Sequence, residues 1–344
     1  SLSIYLENYT SRGYLSAVAP ELTIGIGSRE LIDSITVVWP GGQYQHIQNI
    51  TAGSTLVLDH QMASEGSLDE VKKSTVLAPD TISLNFQHLE SPSYEFGREP
   101  LIPYSKGAEG PKIAVADINK DGLSDVYIGG GKKQSGLLFL QDKDSLFYVS
   151  EQPAFEKHKN NEETDNLFFD ADNDGDQDLL IVSGGNEYLQ GQELQPLLYL
   201  NEAGTFKLST DFPVLEINAS VVKAADLDHD GDQDLLIGSN AVPRRFGRSA
   251  KNYVLYNNGK GHFIDHTAEK APSFGKIGLI EDLEIIDLNN DDLPDVIAVG
   301  HWMPIRIFMN SAQGLVLKSG SNLENTTGLW NSIRAADFDK DGDL

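Results

Sequence analysis

The sequence predicts an all-β protein: a run of repeated four-stranded units of the β-propeller kind behind a small N-terminal β-sandwich-like domain. Three observations carry that expectation. One acidic pattern recurs five times at intervals of 50 to 61 residues, each copy follows an apolar strand-like run and the complete copies lead into another, and a further pair of β-rich runs follows each complete copy. No alternation of strands with helices and no heptad pattern competes.

Residues 1–60 lack the acidic pattern but alternate as strands at 2–6, 22–26, 35–39 and 55–58, as a separate small β domain would. Residues 61–110 are richer in Ser, Glu, Pro and Gly and read as a linker and entry to the repeats, with one strand-like stretch at 82–86. From 111 to 344 the repeats take over. Their first halves read AVADINKDGLSDVYIGG from Ala114, LFFDADNDGDQDLLIVSGG from Leu167, KAADLDHDGDQDLLIGSN from Lys223, EIIDLNNDDLPDVIAVG from Glu284 and RAADFDKDGDL from Arg334. Their second halves are GLLFLQD with LFYVSE, PLLYLNEAGTFKLST, YVLYNNGKGHFIDHT and IRIFMNSAQGLVLKS. Turn residues divide each pair, most clearly in Asn257-Asn258-Gly259-Lys260-Gly261, because Asn and Gly accept the positive φ of tight hairpins. Five blade starts, the fifth cut short, do not close a ring, and about seven blades are expected in all.

Length and charge narrow the partners. At 344 residues two domains are the default. Lys+Arg 26 against Asp+Glu 52 gives a net charge of −26, which opposes binding to nucleic acid or anionic lipid. With no cysteine, disulfides, thiolate zinc sites and thiol nucleophiles are excluded. No apolar run approaches the ~20 residues of a membrane span. The chain starts without Met or a signal-like segment and stops inside a motif, so a longer protein is expected, with its signal sequence outside these residues.

The acidic loops have the chemistry of a hard-cation site. In copy two, Asp170, Asp172, Asp174 and Asp178 occupy positions 1, 3, 5 and 9 with Gly175 at position 6; copy three repeats this with Asp226, Asp228, Asp230, Gly231 and Asp234. Alternate side chains of a tight loop can turn to one point, and the glycine permits the reversal that returns position 9. Oxygen ligands, including a backbone carbonyl such as that of position 7, suit Ca²⁺ better than Mg²⁺ or Zn²⁺. Copies one (Asp117, Asn119, Asp121, Asp125) and four (Asp287, Asn289, Asp291, Asp295) carry Asn at position 3, lose one charge and are expected to bind more weakly. Copy four also places Asp292 where glycine is expected. An EF-hand would need a ligand at position 12, which is Ile128, Ile181, Ile237 and Ala298 here, inside β-rich runs. Acidic turns closed by their own side-chain hydrogen bonds are the bland alternative; five copies in register argue against it.

The pattern D-x-[DN]-x-D-G-x-x-D between strands at this period resembles the FG-GAP and VCBS repeats of integrin α-type propellers, from about residue 111 onward. The resemblance implies that the loop joins the first two strands of a blade and binds calcium on one face. It implies as ligands the residues above plus the backbone oxygens of Leu123, Asp176, Asp232 and Leu293, giving about four complete Ca²⁺ sites. A fifth, truncated site would use Asp337, Asp339 and Asp341. The N-terminal stretch from Ser11 to His60, with Val37-Val38-Trp39-Pro40-Gly41-Gly42 as its most specific piece, resembles the ASPIC/UnbV domain of cartilage-acidic-protein-like and bacterial surface proteins. In that family the domain commonly follows a propeller, which leaves room for another before Ser1. Read from the residues, the same piece is a strand ending in a Pro-Gly turn with Trp39 in the core.

If calcium loops join strands one and two, the connections between strands two and three emerge opposite. There a candidate ligand face would carry Lys132, Lys133, Asn186, Tyr188, Arg244, Arg245, Arg248, His301 and Trp302, cations and aromatics suited to a carboxylated or sulfated glycan or an acidic protein surface. The function expected is a non-catalytic extracellular or cell-surface scaffold for adhesion or for binding a protein or glycan. The alternative is a calcium-dependent polysaccharide lyase or hydrolase, but the eight histidines form no catalytic motif and no acid pair stands out by spacing. The cysteine-free composition and the domain pairing favour a bacterial envelope over a eukaryotic setting; four N-glycosylation sequons, at Asn8, Asn49, Asn218 and Asn325, are explained equally well by chance.

Overall fold

The computed structural model describes residues 3–10, 17, 19–64, 84–92 and 94–337, which fall into two units, 1–79 and 80–344. In the first, the alternating run Leu31–Val38 (β1) pairs antiparallel with Tyr44–Thr51 (β2), Ile35 opposite Ile47. The hairpin turns where the sequence places Pro-Gly-Gly: Gly42, at φ 88°, donates its N–H to Trp39 O, and Trp39 N–H is bound by Gln43 O. Trp39 is half-buried, edge-on to His60 at 5.3 Å. The described residues of the other three expected strands (3–6, 22–26 and 55–58) form none. Alternation marks a face and supplies no pairing partner; Tyr5 and Val57 remain 83% and 92% exposed.

Among the described residues the second unit forms four antiparallel sheets in chain order. The first is β3 (Ile113–Ala116), β4 (Asp125–Ile128), β5 (Leu137–Gln141) and β6 (Phe147–Ser150); the second is β7 (Glu163–Phe169), β8 (Asp178–Ser183), β9 (Leu197–Glu202) and β10 (Thr205–Leu208). The third is β11 (Ala219–Ala225), β12 (Asp234–Ser239), β13 (Tyr253–Tyr256) and β14 (Ile264–Asp265). The fourth is β15 (Leu279–Ile286), β16 (Asp295–Met303), β17 (Arg306–Met309) and β18 (Val316–Leu317), with β19 (Gly328–Leu329) added beside the end of β16.

Sheets pack face to face, which is why their second strands read as unbroken apolar runs. Leu179 and Ile181 of β8 join the core shared with the first sheet, around Tyr127 and Leu138. Their neighbours Leu180 and Val182 point the other way and join Leu235 and Ile237 of the third sheet. Leu236 in turn faces Val296 and Ala298 of the fourth. Each such leucine removed from water on folding contributes roughly 1.5–3 kcal/mol. First strands of successive sheets lie side by side, β3 by β7, β7 by β11 and β11 by β15.

Residues 84–92 and 94–110 are no free spacer. Leu84 and Phe86 pack on Val126, Ile128 and Phe139. Glu95 is buried, and its carboxylate accepts bonds from Ser105 Oγ (2.5 Å), Lys106 N (2.8 Å), Gly107 N (2.9 Å) and Asn186 Nδ2 (2.7 Å). A carboxylate with this many donors fixes a segment that composition alone marks as linker.

Glu163 joins the first two sheets, its buried carboxylate accepting from Tyr127 Oη (2.8 Å) and Gly130 N (3.0 Å). Burial pushes its pKa from 4.5 up to about 7, against the pull of those donors. A carboxyl raised on folding contributes stability that is present below pH 4.5 and is lost as pH rises through about 7. Glu163→Gln, which keeps an acceptor and loses the charge, is expected to flatten this decline. Urea unfolding at pH 5.5 and pH 8 checks it; equal slopes for variant and parent would contradict the assignment.

Candidate metal loops and the opposite face

All four described acidic loops are built alike. Position 1 follows the last residue of a sheet's first strand, and position 9 opens the second: Ala116 pairs with Asp125, Phe169 with Asp178, Ala225 with Asp234 and Ile286 with Asp295. Between them the chain turns twice through left-handed backbone. Position 4 does so at Lys120, Asn173, His229 and Asn290 (φ 58–64°), and position 6 at Gly122, Gly175, Gly231 and Asp292. Asp292 has φ 65°, a conformation that costs a side-chain-bearing residue more than glycine. Asp292→Gly is therefore expected to stabilise the protein by about 0.5–1 kcal/mol, measured as a higher urea midpoint at unchanged slope; a lower midpoint would contradict this reading of the loop.

The carboxylates hold the loop closed through its own backbone. Position 1 accepts the N–H of position 6 in every copy: Gly122 to Asp117 (2.8 Å), Gly175 to Asp170 (2.9 Å), Gly231 to Asp226 (3.0 Å) and Asp292 to Asp287 (2.9 Å). Position 5 accepts the N–H of position 7, as Asp121 does from Leu123, Asp174 from Asp176, Asp230 from Asp232 and Asp291 from Leu293. These are the bonds the bland reading expects, and they leave further carboxylate oxygens free.

In copies two and three the acids converge. Asp170, Asp172 and Asp174 each bring an oxygen within 4.8 Å of the others, as do Asp226, Asp228 and Asp234. Asp170 Oδ1 and Asp172 Oδ1 are buried with no hydrogen-bond partner, and a buried, unsatisfied carboxylate oxygen is costly unless something supplies positive charge. Burial, with Asp174 and Asp170 alongside, raises the Asp172 pKa; burial with Asp230 and Asp226 does the same to Asp228. The donor set thus fits a hard cation. Bound there, such an ion would neutralise the converging charges and cross-link the loop. In copy four, Asn289 instead turns its Nδ2 to Asp291 Oδ2 (2.9 Å), spending an acidic oxygen inside the loop. Asp337 of copy five is described; Asp339 and Asp341 lie outside the described residues.

Position 9 has a second role that its spacing does not reveal. Each of these aspartates is almost fully buried, and its two oxygens take two backbone N–H groups. One comes from position 2 of its own loop: Ile118, Ala171, Leu227 or Leu288. The other comes from the end of the sheet's third strand: Gln141, Asn201, Asn257 or Asn310. Burial raises Asp178 and Asp234 to about 7 against the pull of these donors. The three asparagines then reach back to the preceding repeat. Asn201 Nδ2 donates to Ile118 O (3.2 Å), Asn257 Nδ2 to Ala171 O (2.8 Å) and Asn310 Nδ2 to Leu227 O (2.8 Å). Position 2 of loops one to three is therefore tied by its N–H to its own repeat and by its carbonyl to the next. Side chains also bridge neighbouring loops, Lys120 to Asp176 (2.5 Å) and Asn173 to Asp232 (2.5 Å). The recurring Asn after Tyr-Leu, Leu-Tyr and Phe-Met was the available signal for this stitch.

On the opposite side, the structure brings together part of the expected ligand face. Lys132 pairs with Glu187 and lies 4.9 Å from the Tyr188 ring. Asn186 is buried, donating to Glu95 and Glu99 and accepting from Arg244 N (2.6 Å), while Arg244 Nη2 donates to Glu187 O. Lys133, Arg245 and Arg248 are exposed. His301 and Trp302 are not in a connection, as the sequence suggests, but within β16, which runs on to Met303 because β19 pairs with its end, His301 opposite Leu329. His301 is buried and Trp302 is 54% exposed.

Among the described residues no helix is long and apolar enough to cross a membrane. No curated protein matches the chain. A family model described as ASPIC and UnbV matches residues 2–65, and one described as FG-GAP-like repeat matches residues 170–237 and 287–344, beginning at position 1 of loops two and four. The chain is an ASPIC/UnbV domain followed by FG-GAP-like repeats.

Proposed function

We propose that this protein is a calcium-stabilised, propeller-like scaffold of the cell surface or secreted space, in which the ion-filled loops hold successive sheets in place and the opposite side binds a protein or glycan. FG-GAP-like repeats support an extracellular or adhesion-type scaffold, and neither matched family is typically enzymatic. The observation that carries the calcium reading is the pair of buried, partnerless oxygens on Asp170 and Asp172 inside a converging acid cluster. Ca²⁺ is preferred over Mg²⁺ because the loop offers many oxygens to one point, which suits a cation that takes six to eight oxygen ligands. The absence of cysteine makes a metal staple the available substitute for disulfides outside the cell. A bacterial envelope suits both features.

Thermal unfolding of the protein in calcium, in magnesium and in excess chelator tests this. Calcium at about 100 times its Kd adds about 2.7 kcal/mol per site, so a clear rise in Tm in calcium alone is expected. Identical melting in calcium and chelator would end the calcium reading.

A further inference from the structure

At the end of the sheets remote from the acidic loops, a cavity of about 260 Å³ is lined by Lys106, Glu109, Asn240, Glu281, His301 and Asn331, with Thr164 and Ser220 alongside. Its polar groups are fixed in place. Lys106 Nζ lies 2.7 Å from Glu109 Oε1 and 2.5 Å from Glu281 Oε1. Asn240 Nδ2 donates to Glu109 Oε2 (2.8 Å) and Glu281 Oε2 (2.9 Å). His301 Nδ1 is 3.0 Å from Glu281 Oε1 and 2.7 Å from the Tyr104 hydroxyl, and its Nε2 is 2.8 Å from Asn331 Oδ1. Residues far apart in sequence, from Lys106 to Asn331, thus converge on one pit, and side chains held this way are preorganised for recognition.

The charge of the pit sets the class of ligand. Lys106 and Lys112 in the lining balance Glu109 and Glu281, a locally neutral site in a chain of net charge −26. Carboxylate, amide and ammonium groups line it together, so a ligand with several hydroxyls, each both donor and acceptor, can pair with groups of either kind. The cations expected to attract a polyanion are partly spent elsewhere, Lys132 on Glu187 and Arg244 on Glu187 O. Next to the polar lining stand aromatic rings. Tyr104 is edge-on to His301 (5.2 Å) and to Phe246 (5.7 Å), and Phe246 and Trp302 keep 38% and 54% of their surface exposed. Trp302 is held at φ 59°, an outlier for so bulky a residue and of the kind that gathers at ligand sites.

We propose that this cavity binds one neutral sugar ring at the end of a glycan, its hydroxyls in the polar pit and its apolar face toward the neighbouring aromatics. The proposal rests on reading the protein as a binding scaffold and supplies the ligand class that reading leaves open. Saturation-transfer NMR and titration with glucose, galactose, mannose, fucose and rhamnose, each as free sugar and as methyl glycoside, test it, with glucuronate and a sulfated galactose as charged controls. At least one neutral methyl glycoside is expected to bind saturably, at least about tenfold tighter than either charged control. The exposed Asn331→Ala and Lys112→Ala variants should each weaken it about three- to tenfold, with Tm unchanged in Lys112→Ala. A free sugar binding more tightly than its methyl glycoside would overturn the chain-end assignment. No saturable binding, preference for the charged sugars, or binding unaltered in both variants would overturn the site. Calcium-dependent melting is read independently, so a scaffold that melts higher in calcium yet ignores every sugar loses this proposal alone.

Discussion

Asn201→Ala is expected to lower the unfolding free energy of the repeat unit by about 2–4 kcal/mol. The side chain is 1% exposed and makes three bonds to backbone. Its Nδ2 donates to Ile118 O and Gln177 O, each at 3.2 Å, and its Oδ1 accepts from Gly204 N at 2.7 Å. Alanine leaves those groups without this partner in a place closed to water, and the unmet groups cost more than the bonds themselves contribute. The Ile118 bond also crosses from one repeat to the one before it, so the loss falls on the junction between sheets. Asn257→Ala and Asn310→Ala should behave alike, since each reaches the position 2 carbonyl of the preceding loop. Urea unfolding followed by circular dichroism measures this; a loss under about 0.5 kcal/mol, within the range of ordinary surface substitutions, would remove the stitch from the account.

Asp172→Ala is expected to move stability in opposite directions with and without calcium. In chelator the variant should be at least as stable as the parent, because the substitution removes a carboxylate that is crowded by Asp170 and Asp174 and has a buried oxygen without a partner. In calcium the same change deletes a ligand, and calcium affinity at that loop should fall at least about 100-fold, or about 2.7 kcal/mol. Asp228→Ala should reproduce the effect in loop three, where Asp228 converges with Asp226 and Asp234. A purely structural acidic turn gives no such crossing: the variant would be equally or less stable in both media. Position 3 separates the two readings better than position 1, whose oxygen also holds the N–H of position 6.

How much of this was legible in the sequence depends on the range of the interaction. The acidic loops, their glycine and the flanking strands are local, and the register of Asp178 opposite Phe169 or Asp234 opposite Ala225 follows directly from the nine-residue spacing. The apolar runs that follow each position 9, Leu-Leu-Ile in copies two and three, announce strands covered on both faces, as Leu179 and Leu180 are. The double duty of position 9 was hidden, because its second donor lies 15 to 23 residues on in copies two to four, at the end of another strand. His301 and Trp302 were misplaced for a similar reason: β16 is prolonged by β19, a pairing no local pattern encodes. The pit around Lys106 draws on residues from 104 to 331, and its first members, Tyr104, Lys106 and Glu109, lie in a segment whose composition suggested linker. Strand alternation within residues 1–60 misled where no partner strand is described, as at Tyr5 and Val57.

The central claim is that the loops are calcium sites of unequal strength, and direct calcium titration of the metal-stripped protein by calorimetry tests it best. Loops two and three, with Asp172 and Asp228 at position 3, should bind more tightly than loops one and four, where Asn119 and Asn289 stand. The account predicts a biphasic isotherm whose tighter phase disappears in the Asp172→Ala, Asp228→Ala double variant. No saturable calcium binding, or a tight phase that survives the double variant, would contradict it.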